Sequence, residues 1–242
     1  MPVSVAALQG HPRAPECLAV FPGPASGQVT DQLHQFAEAL GNAVDARDPN
    51  TYNHSWEVAE VSRMLAEAIG LSRWQSEMVH LAGHLHDIGK IGAPDSILKK
   101  RGRLTSDEWR LMKRHPEVGA TIIRPIEAFT SRGGVADMIL FHHERMDGTG
   151  YPWGLKGDAI PLGARIIAVA DTLSALLQDR PYRKGTLFES AMTEIQRCAG
   201  TQFDPTVVAT LVSIDRRVAE FFRRARNGAK SWRKPLLSVP LL

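Results

Sequence analysis

Apolar residues recur at helical spacing along most of the chain, whereas the alternation that marks a half-buried strand is nearly absent. One stripe comprises Leu33, Phe36, Ala37, Leu40 and Val44, and a second comprises Val58, Val61, Leu65 and Ile69, followed by Gly70 as a helix end. Further helices are predicted at 164–177, 187–199 and 205–224. The pattern therefore predicts an all-α fold with long loops that carry potential ligands.

Local signals predict where some of these helices begin and end. Thr105 opens a Thr-x-x-Glu capping box, which is typical of a helix start. Pro116 suits the first position of another helix and leaves His115 just outside it. Gly89 is predicted to end a helix over 81–88.

Composition restricts the class of protein. The hydrophobic share of 43%, the charged share of 23% and the net charge of +3 are those of an ordinary globular protein. No apolar run is long enough to span a bilayer, no signal peptide is recognisable, and the only cysteines are Cys17 and Cys198. We therefore expect a cytoplasmic protein with a flexible Pro/Gly-rich leader at 1–28, one domain at 29–225 and a basic tail at 226–242.

Basic residues are concentrated towards the C-terminus. They are Arg216, Arg217, Arg223, Arg224, Arg226, Lys230, Arg233 and Lys234, against only Asp215 and Glu220. Such a stretch can contact nucleic acid or a membrane surface. A solvated helix face followed by a tail explains it more simply, so neither partner is predicted.

Two pairs of adjacent residues are the strongest chemical signal. His86 and Asp87 offer one nitrogen and one carboxylate, a mixed ligand set that Fe, Mn or Zn accepts. His142 and His143 lead into a Gly-rich loop and offer matching ligands for a second ion. Asp171 falls on an apolar helix face, where an ionised carboxylate is costly unless a cation neutralises it. A metal would do so, and an ion pair with a remote arginine is the alternative.

Other histidines are ambiguous when they are taken alone. His54 heads an apolar stripe and could be an ordinary core histidine, and His115 could simply cap a helix. His80 and His84 lie four residues apart on one helix face, which is also metal-binding spacing. We favour packing or solvent contact for both, because the motif described next begins at His86.

Ordered motifs from about 48 to 205 resemble those of the HD-GYP family, hydrolases that open the bacterial messenger cyclic di-GMP. Residues 48–55 are similar to its Asp-x-x-Thr-x-x-His-Ser opening, 86–90 to His-Asp-Ile-Gly-Lys, and 142–152 to its extended block ending in Gly-Tyr-Pro. The resemblance implies an HD-superfamily helical bundle with a metal site in the core, a Gly-rich GYP loop beside it, and a phosphohydrolase domain at 29–225.

The resemblance also implies a site. Its metal ligands would be His54, His86, Asp87, His115, His142, His143 and Asp171, holding two divalent ions, Fe or Mn first and Zn or Ni as alternatives. Lys90, Arg180 and Arg183 would contact nucleotide phosphates. Asp87 is predicted to bridge the ions, Lys90 to assist the chemistry, and Asp48 to orient the attacking water or a ligand.

The predicted reaction is attack of a hydroxide shared by two metals on one phosphorus of cyclic di-GMP. The product would be linear pGpG, with slower cleavage to GMP. Two positions depart from the family pattern. Asn50 replaces a glutamate that helps some members to bind a third metal, so two ions are expected. Ser174 stands where most relatives have aspartate, and we expect it to alter a contact that supports a ligand.

Alternatives remain at this stage. The chain could be a catalytically weak module that binds metal and cyclic dinucleotide and signals through protein partners, or it could hydrolyse a hybrid GMP–AMP cyclic dinucleotide. The GYP loop at 147–152 is expected to support the paired histidines. It could also dock partners such as diguanylate cyclases of the GGDEF type. A homodimer is a further possibility.

Overall fold

The computed structural model describes residues 27–47, 53–100, 102–179 and 184–232. The α-helices of these segments are α1 (Gly27–Arg47), α2 (His54–Ile69), α3 (Arg73–Leu85), α4 (Asp95–Leu98), α5 (Ser106–Met112), α6 (His115–Ile123), α7 (Val135–Phe141), α8 (Leu162–Leu177), α9 (Phe188–Arg197), α10 (Pro205–Ser213) and α11 (Asp215–Trp232). Short 3₁₀ helices span Ile88–Gly92, Glu127–Phe129 and Gly157–Ala159. The described segments contain no strand, so the predicted all-α class is confirmed.

Helices α2, α3 and α8 form the centre of the bundle, and α1 and α7 pack against α3. The predicted stripe of α2 is buried, as Val58, Val61 and Leu65 show. Phe36, which we placed in the stripe of α1, is 58% exposed. It lies about 100° around the helix from the buried Ala37, so the prediction for Phe36 was wrong.

The structure confirms some predicted helix boundaries and corrects others. Thr105 and Glu108 form the expected capping box, and Asp204 caps α10 by accepting a hydrogen bond from Thr206 N. His115 was expected outside α6 but is its first residue. The single helix predicted over 205–224 is two helices, because the chain leaves the helical path at Ile214.

The helix that precedes the His-Asp pair ends earlier than predicted. Helix α3 stops at Leu85, His86 is its C-cap, and Gly89 lies inside the following 3₁₀ turn. A side chain at Gly89 would overlap the carbonyl oxygen of His115 and lie 2.5 Å from Gly119 N. Gly89 is therefore required for the close approach of this turn to α6, and not as a helix stop.

The predicted domain boundaries lie at the edges of the described structure. Residues 1–26 of the predicted leader and 233–242 of the predicted tail fall outside the described residues. The proposed boundary at 226 lies within α11, which continues to Trp232. The domain limits therefore stay predictions.

The basic face of α11 makes ion pairs within the protein. Arg223 and Arg224 both pair with Glu220 at 2.6 Å, and Arg217 pairs with Glu67 at 2.8 Å. These contacts favour the interpretation of a solvated helix face. Among the described helices, none combines the length and the apolar composition needed to cross a bilayer.

We expect Gly89→Ala to lower the free energy of unfolding by about 3 kcal/mol, because overpacking against backbone atoms forces α6 away from the turn. Chemical denaturation measures this effect. Gly102→Ala is the matched control, because a side chain there would meet nothing within 4 Å and should change stability by less than about 1 kcal/mol. Equal stability of the two variants would contradict the proposed role of Gly89.

Candidate metal centre

The side chains predicted as metal ligands converge in the core from separate elements. They are His54 from the start of α2, His86 and Asp87 from the turn after α3, His115 from the start of α6, His142 and His143 after α7, and Asp171 from the middle of α8. His54, His86, Asp87, His115 and His142 are all buried. The fold thus assembles in space a set that is spread over more than a hundred residues of sequence.

The possible ligand atoms form two groups joined by one carboxylate. One group is His54, His86 and Asp87, the other is His115, His142 and His143, and within each group the atoms lie within 4.8 Å of one another. Asp87 Oδ2 is 3.2 Å from His86 Nε2, and Asp87 Oδ1 is 3.2 Å from His115 Nε2. The two oxygens of Asp87 therefore address different groups, which is the arrangement needed to bridge two ions.

Asp171 closes the first group from the side of α8. Its Oδ1 lies 3.1 Å from His54 Nε2 and 4.0 Å from His86 Nε2. Burial raises the pKa of Asp171, but the hydrogen bond and charge of His54 outweigh it and hold the pKa far below its ordinary value. Within the described part of the chain, Asp171 is thus paired with histidines and not with the remote arginine that we considered.

Backbone carbonyls orient most of the imidazoles. In His86, His115 and His142, Nδ1 lies 2.7–2.9 Å from the carbonyl oxygen three residues earlier. When Nδ1 donates this bond, the lone pair is on Nε2, the atom that faces the centre. His86 Nε2 is buried and makes no hydrogen bond of good geometry with any described residue. A cation would satisfy it.

Burial keeps several of these histidines neutral. It lowers the pKa of His143 to about 3 and that of His142 well below the ordinary value. For His86, burial lowers the pKa, but the charge of Asp87 outweighs it and raises the pKa to about 9. Because a metal ligand must be deprotonated, binding of an ion at His86 would release a proton.

Ser174 orients His54 through a buried relay. His54 Nδ1 lies 2.9 Å from Ser174 Oγ, and Ser174 Oγ donates to Glu57 Oε2 at 2.6 Å. Gln178 donates a second hydrogen bond to the same oxygen at 2.9 Å. The hydroxyl proton of Ser174 goes to Glu57, so Nδ1 of His54 is the donor to Ser174 Oγ. Nε2 faces Asp171 and is the atom that a metal would bind. With serine at position 174, His54 is therefore still connected to a carboxylate, that of Glu57, but through one additional side chain.

Of the other residues predicted to take part in catalysis or substrate binding, Lys90 lies at the centre, and the rest fall outside the residues that the structure describes. Lys90 Nζ lies 2.6 Å from Asp87 Oδ2. Asp48, Arg180 and Arg183, and also Asn50, fall outside the described residues. Their predicted roles therefore stay predictions.

A cavity of about 330 Å³ opens onto the centre at His142, His143 and Asp171. Its other walls include Trp109, Lys113, Arg145, Tyr151 and Gln202, none of which the sequence reasoning named as site residues. The Tyr151 ring lies 4.8 Å from the His143 ring, and Lys113 Nζ lies 5.1 Å above Tyr151. The capping box at Thr105 predicted the helix that presents Trp109, but no motif indicated which of its faces borders the cavity.

The GYP loop is built to hold these walls in place. Gly148 has φ +82, as expected for a loop glycine. Gly150 is needed for a different reason, because a side chain there would lie 2.5 Å from the Glu144 backbone. Asp147 N donates to Thr201 O at 2.8 Å, which ties the loop to the segment before α10. These contacts favour support of the paired histidines, and docking of a partner stays a prediction.

His80 and His84 do not reach this centre. They are 3% and 2% exposed and face His34 of α1. Their burial agrees with packing and not with solvent contact, and whether they bind a metal is a separate question.

Comparison with known proteins agrees with this geometry. Residues 38–207 match the family model described as HD domain. The response regulator RpfG of Xanthomonas campestris pv. campestris, a cyclic di-GMP phosphodiesterase, is 40% identical over 186 residues, which cover 76% of this chain and 49% of that protein. A 3'3'-cGAMP-specific phosphodiesterase of Vibrio cholerae is 38% identical over 173 residues, 72% of this chain and 33% of that protein. The chain thus spans half or less of these relatives.

A solved structure shows the same fold. A cyclic GMP-AMP specific phosphodiesterase of V. cholerae superposes with a TM-score of 0.62 at 20% identity, over 77% of this chain and 50% of that one. At this identity, the similarity concerns the helical architecture alone.

We expect Ser174→Ala to weaken metal binding at the His54 side of the centre by about 10–100-fold, because His54 loses the group that orients it. Metal titration followed by calorimetry measures this. Ser62→Ala is the matched control, since Ser62 is equally buried and its hydroxyl has no hydrogen-bond partner among the described residues. Similar affinities in both variants would refute the relay.

Proposed function

This chain belongs to the HD domain family and carries the motifs of its HD-GYP branch, and we propose that it is a metal-dependent phosphodiesterase that opens cyclic di-GMP to linear pGpG. The observation that carries the proposal is the position of Asp87. Its two oxygens each lie 3.2 Å from a histidine of a different ligand group. A binuclear centre is the arrangement that phosphodiester hydrolysis uses to stabilise both the attacking and the leaving oxygen.

The donor set fits two divalent ions. His54, His86 and Asp171 would hold one ion, His115, His142 and His143 the other, and Asp87 would bridge them. Histidines mixed with carboxylates suit Fe or Mn, with Zn or Ni as alternatives. Once bound, such ions acidify a water nucleophile and polarise the phosphoryl oxygens.

Lys90 supplies positive charge at the edge of the centre. Burial raises the pKa of Asp87, but the charges of Lys90 and His86 outweigh it and keep the carboxylate ionised. We assign to the Lys90 ammonium the further role of neutralising charge on the phosphoryl oxygens and assisting the leaving 3′ oxygen. Asp48 is proposed to orient the attacking water.

The cavity beside the centre suits a nucleotide. Trp109 is 46% exposed, and Tyr151 presents its ring beside His143, so both offer surfaces on which a base can stack. A cyclic dinucleotide carries a second phosphodiester, which needs a cation away from the metals. Lys113 lies on the cavity wall, and we assign this role to its ammonium group. Arg180 and Arg183 are proposed to add guanidinium contacts to the phosphates.

A second candidate substrate is the hybrid cyclic GMP–AMP. The similarity to the 3'3'-cGAMP-specific phosphodiesterase of V. cholerae favours it. Stacking on Trp109 and Tyr151 would accept adenine or guanine, because every base offers a π face. A panel of cyclic di-GMP, cyclic GMP–AMP and cyclic di-AMP therefore belongs in the assay.

The activity test is anaerobic purification, metal analysis and incubation with cyclic di-GMP, with products separated by chromatography. We expect pGpG, and we expect Asp87→Asn to reduce its rate at least about 10³-fold, since several kcal/mol of metal stabilisation are lost. Asp158→Asn is the control, because this carboxylate is 93% exposed and pairs only with Arg165 among the described residues. If the protein binds metal but forms no product with Fe and none with Mn, we would instead infer a module that senses nucleotides without hydrolysing them.

The cavity assignment predicts a change in substrate affinity. Lys113→Met should raise KM for cyclic di-GMP about 10-fold and leave the metal content unchanged, because one charged contact to phosphate is lost. Lys99→Met is the matched control, since Lys99 pairs with Asp95 at 2.9 Å on the surface. An unchanged KM in steady-state kinetics would remove Lys113 from the substrate site.

A further inference from the structure

A second group of histidines lies outside the proposed catalytic centre. His34 of α1 and His80 and His84 of α3 each offer a nitrogen, and these nitrogens lie within 4.8 Å of one another. None of the three is in the ligand set described above. We propose that His34, His80 and His84 bind one zinc ion in a structural site separate from the catalytic centre.

Helix geometry brings these imidazoles together and separates them from the catalytic set. His80 and His84 are four residues apart, so they share one face of α3, and their ring centroids are 4.9 Å apart. The His34 ring approaches from α1, at 4.7 Å from His80 and 5.5 Å from His84. His86 follows His84 by two residues, which turns it about 200° away towards the core.

His80 points to a missing partner. Its side chain is 4% exposed, yet neither ring nitrogen makes a hydrogen bond of good geometry with any described residue. The nearest carboxylate oxygens are Glu60 Oε1, 3.3 Å from Nε2, and Glu77 Oε1, 3.9 Å from Nδ1. Buried polar atoms normally have a partner. An ion between the histidines would supply one.

The two carboxylates complete a zinc environment. Glu77 Oε1 lies 3.2 Å from His34 Nδ1, the contact by which a carboxylate fixes the ring of a ligating histidine and leaves Nε2 for the metal. Glu60 lies on the other side of His80 and pairs with Arg63 at 2.7 Å. Three imidazoles with carboxylates suit zinc, whereas Ca²⁺ and Mg²⁺ require mainly oxygen ligands.

A histidine–glutamate hydrogen-bond network without metal is the competing explanation. It accounts for His34, which already bonds Glu77, and it places a carboxylate near each nitrogen of His80. Burial lowers the pKa of His80, but these two carboxylates outweigh it and raise the pKa. The network still leaves both nitrogens of this buried ring without a hydrogen bond of good geometry among the described residues. The site also has an entry route, because the His34 side chain is 29% exposed. A zinc ion here would join α1 to α3 just before the His86–Asp87 turn, and so stabilise the base of the catalytic centre.

The test is the zinc content of the whole chain after equilibration with zinc and removal of loosely bound ions. His34→Gln should lower the zinc content by one ion per chain relative to the wild type. Glu77→Gln should lower the affinity for that same ion about 10–100-fold. Gln35→Ala, at the neighbouring exposed position of α1, is the matched control and should change nothing. Equal zinc content in wild type and His34→Gln would overturn the proposal.

A second readout does not involve turnover or the catalytic ions. In a variant carrying Asp87→Asn and His143→Gln, added zinc should still raise Tm, because an ion that binds only the folded state stabilises it. Adding His34→Gln should reduce that rise, whereas adding Gln35→Ala should not. An equal rise with and without His34→Gln would also overturn the site. Neither result depends on whether cyclic di-GMP is hydrolysed, so the two proposals can fail separately.

Discussion

The carboxylate of Asp87 must meet two groups of histidines at once while buried in the core, and the local structure follows from that requirement. Burial alone would protonate it, so positive charge must lie beside it, and His86 and Lys90 supply that charge. His115 contacts the other oxygen, but burial lowers the pKa of its ring. The turn that carries Asp87 can approach α6 only because Gly89 has no side chain. Helices α3 and α6 are therefore held at the distance that one carboxylate spans.

Orientation of the ligands comes largely from the ends of helices. His86 and His142 bond carbonyl groups that the last turns of α3 and α7 leave without helical partners. His115, the first residue of α6, uses the carbonyl of Met112 in the last turn of α5 in the same way, whereas Nδ1 of His54, at the beginning of α2, faces Ser174 Oγ instead. The Ser174–Glu57 relay takes over that function with side chains.

The same residue type has two environments in this bundle. The histidines of the metal centre surround the carboxylates of Asp87 and Asp171, which come from different elements, and they border an open cavity. His34, His80 and His84 lie between two helices with carboxylates around their edge. An ion in the first environment can meet a substrate, whereas an ion in the second could serve only to hold helices together.

The helical class, the cap at Thr105, the ligand motifs and the position of Asp171 on an apolar helix face could be predicted from the sequence, because they depend on periodicity and on residues near one another in the chain. Features that depend on contacts between distant segments became visible only in the folded structure. Examples are the role of Gly89 against α6, the break at Ile214 within an uninterrupted apolar stripe, and the relay behind His54. The position of Lys113 on the cavity wall is a further example. Helical spacing shows which residues share a face of a helix, but it does not show which other part of the protein that face contacts.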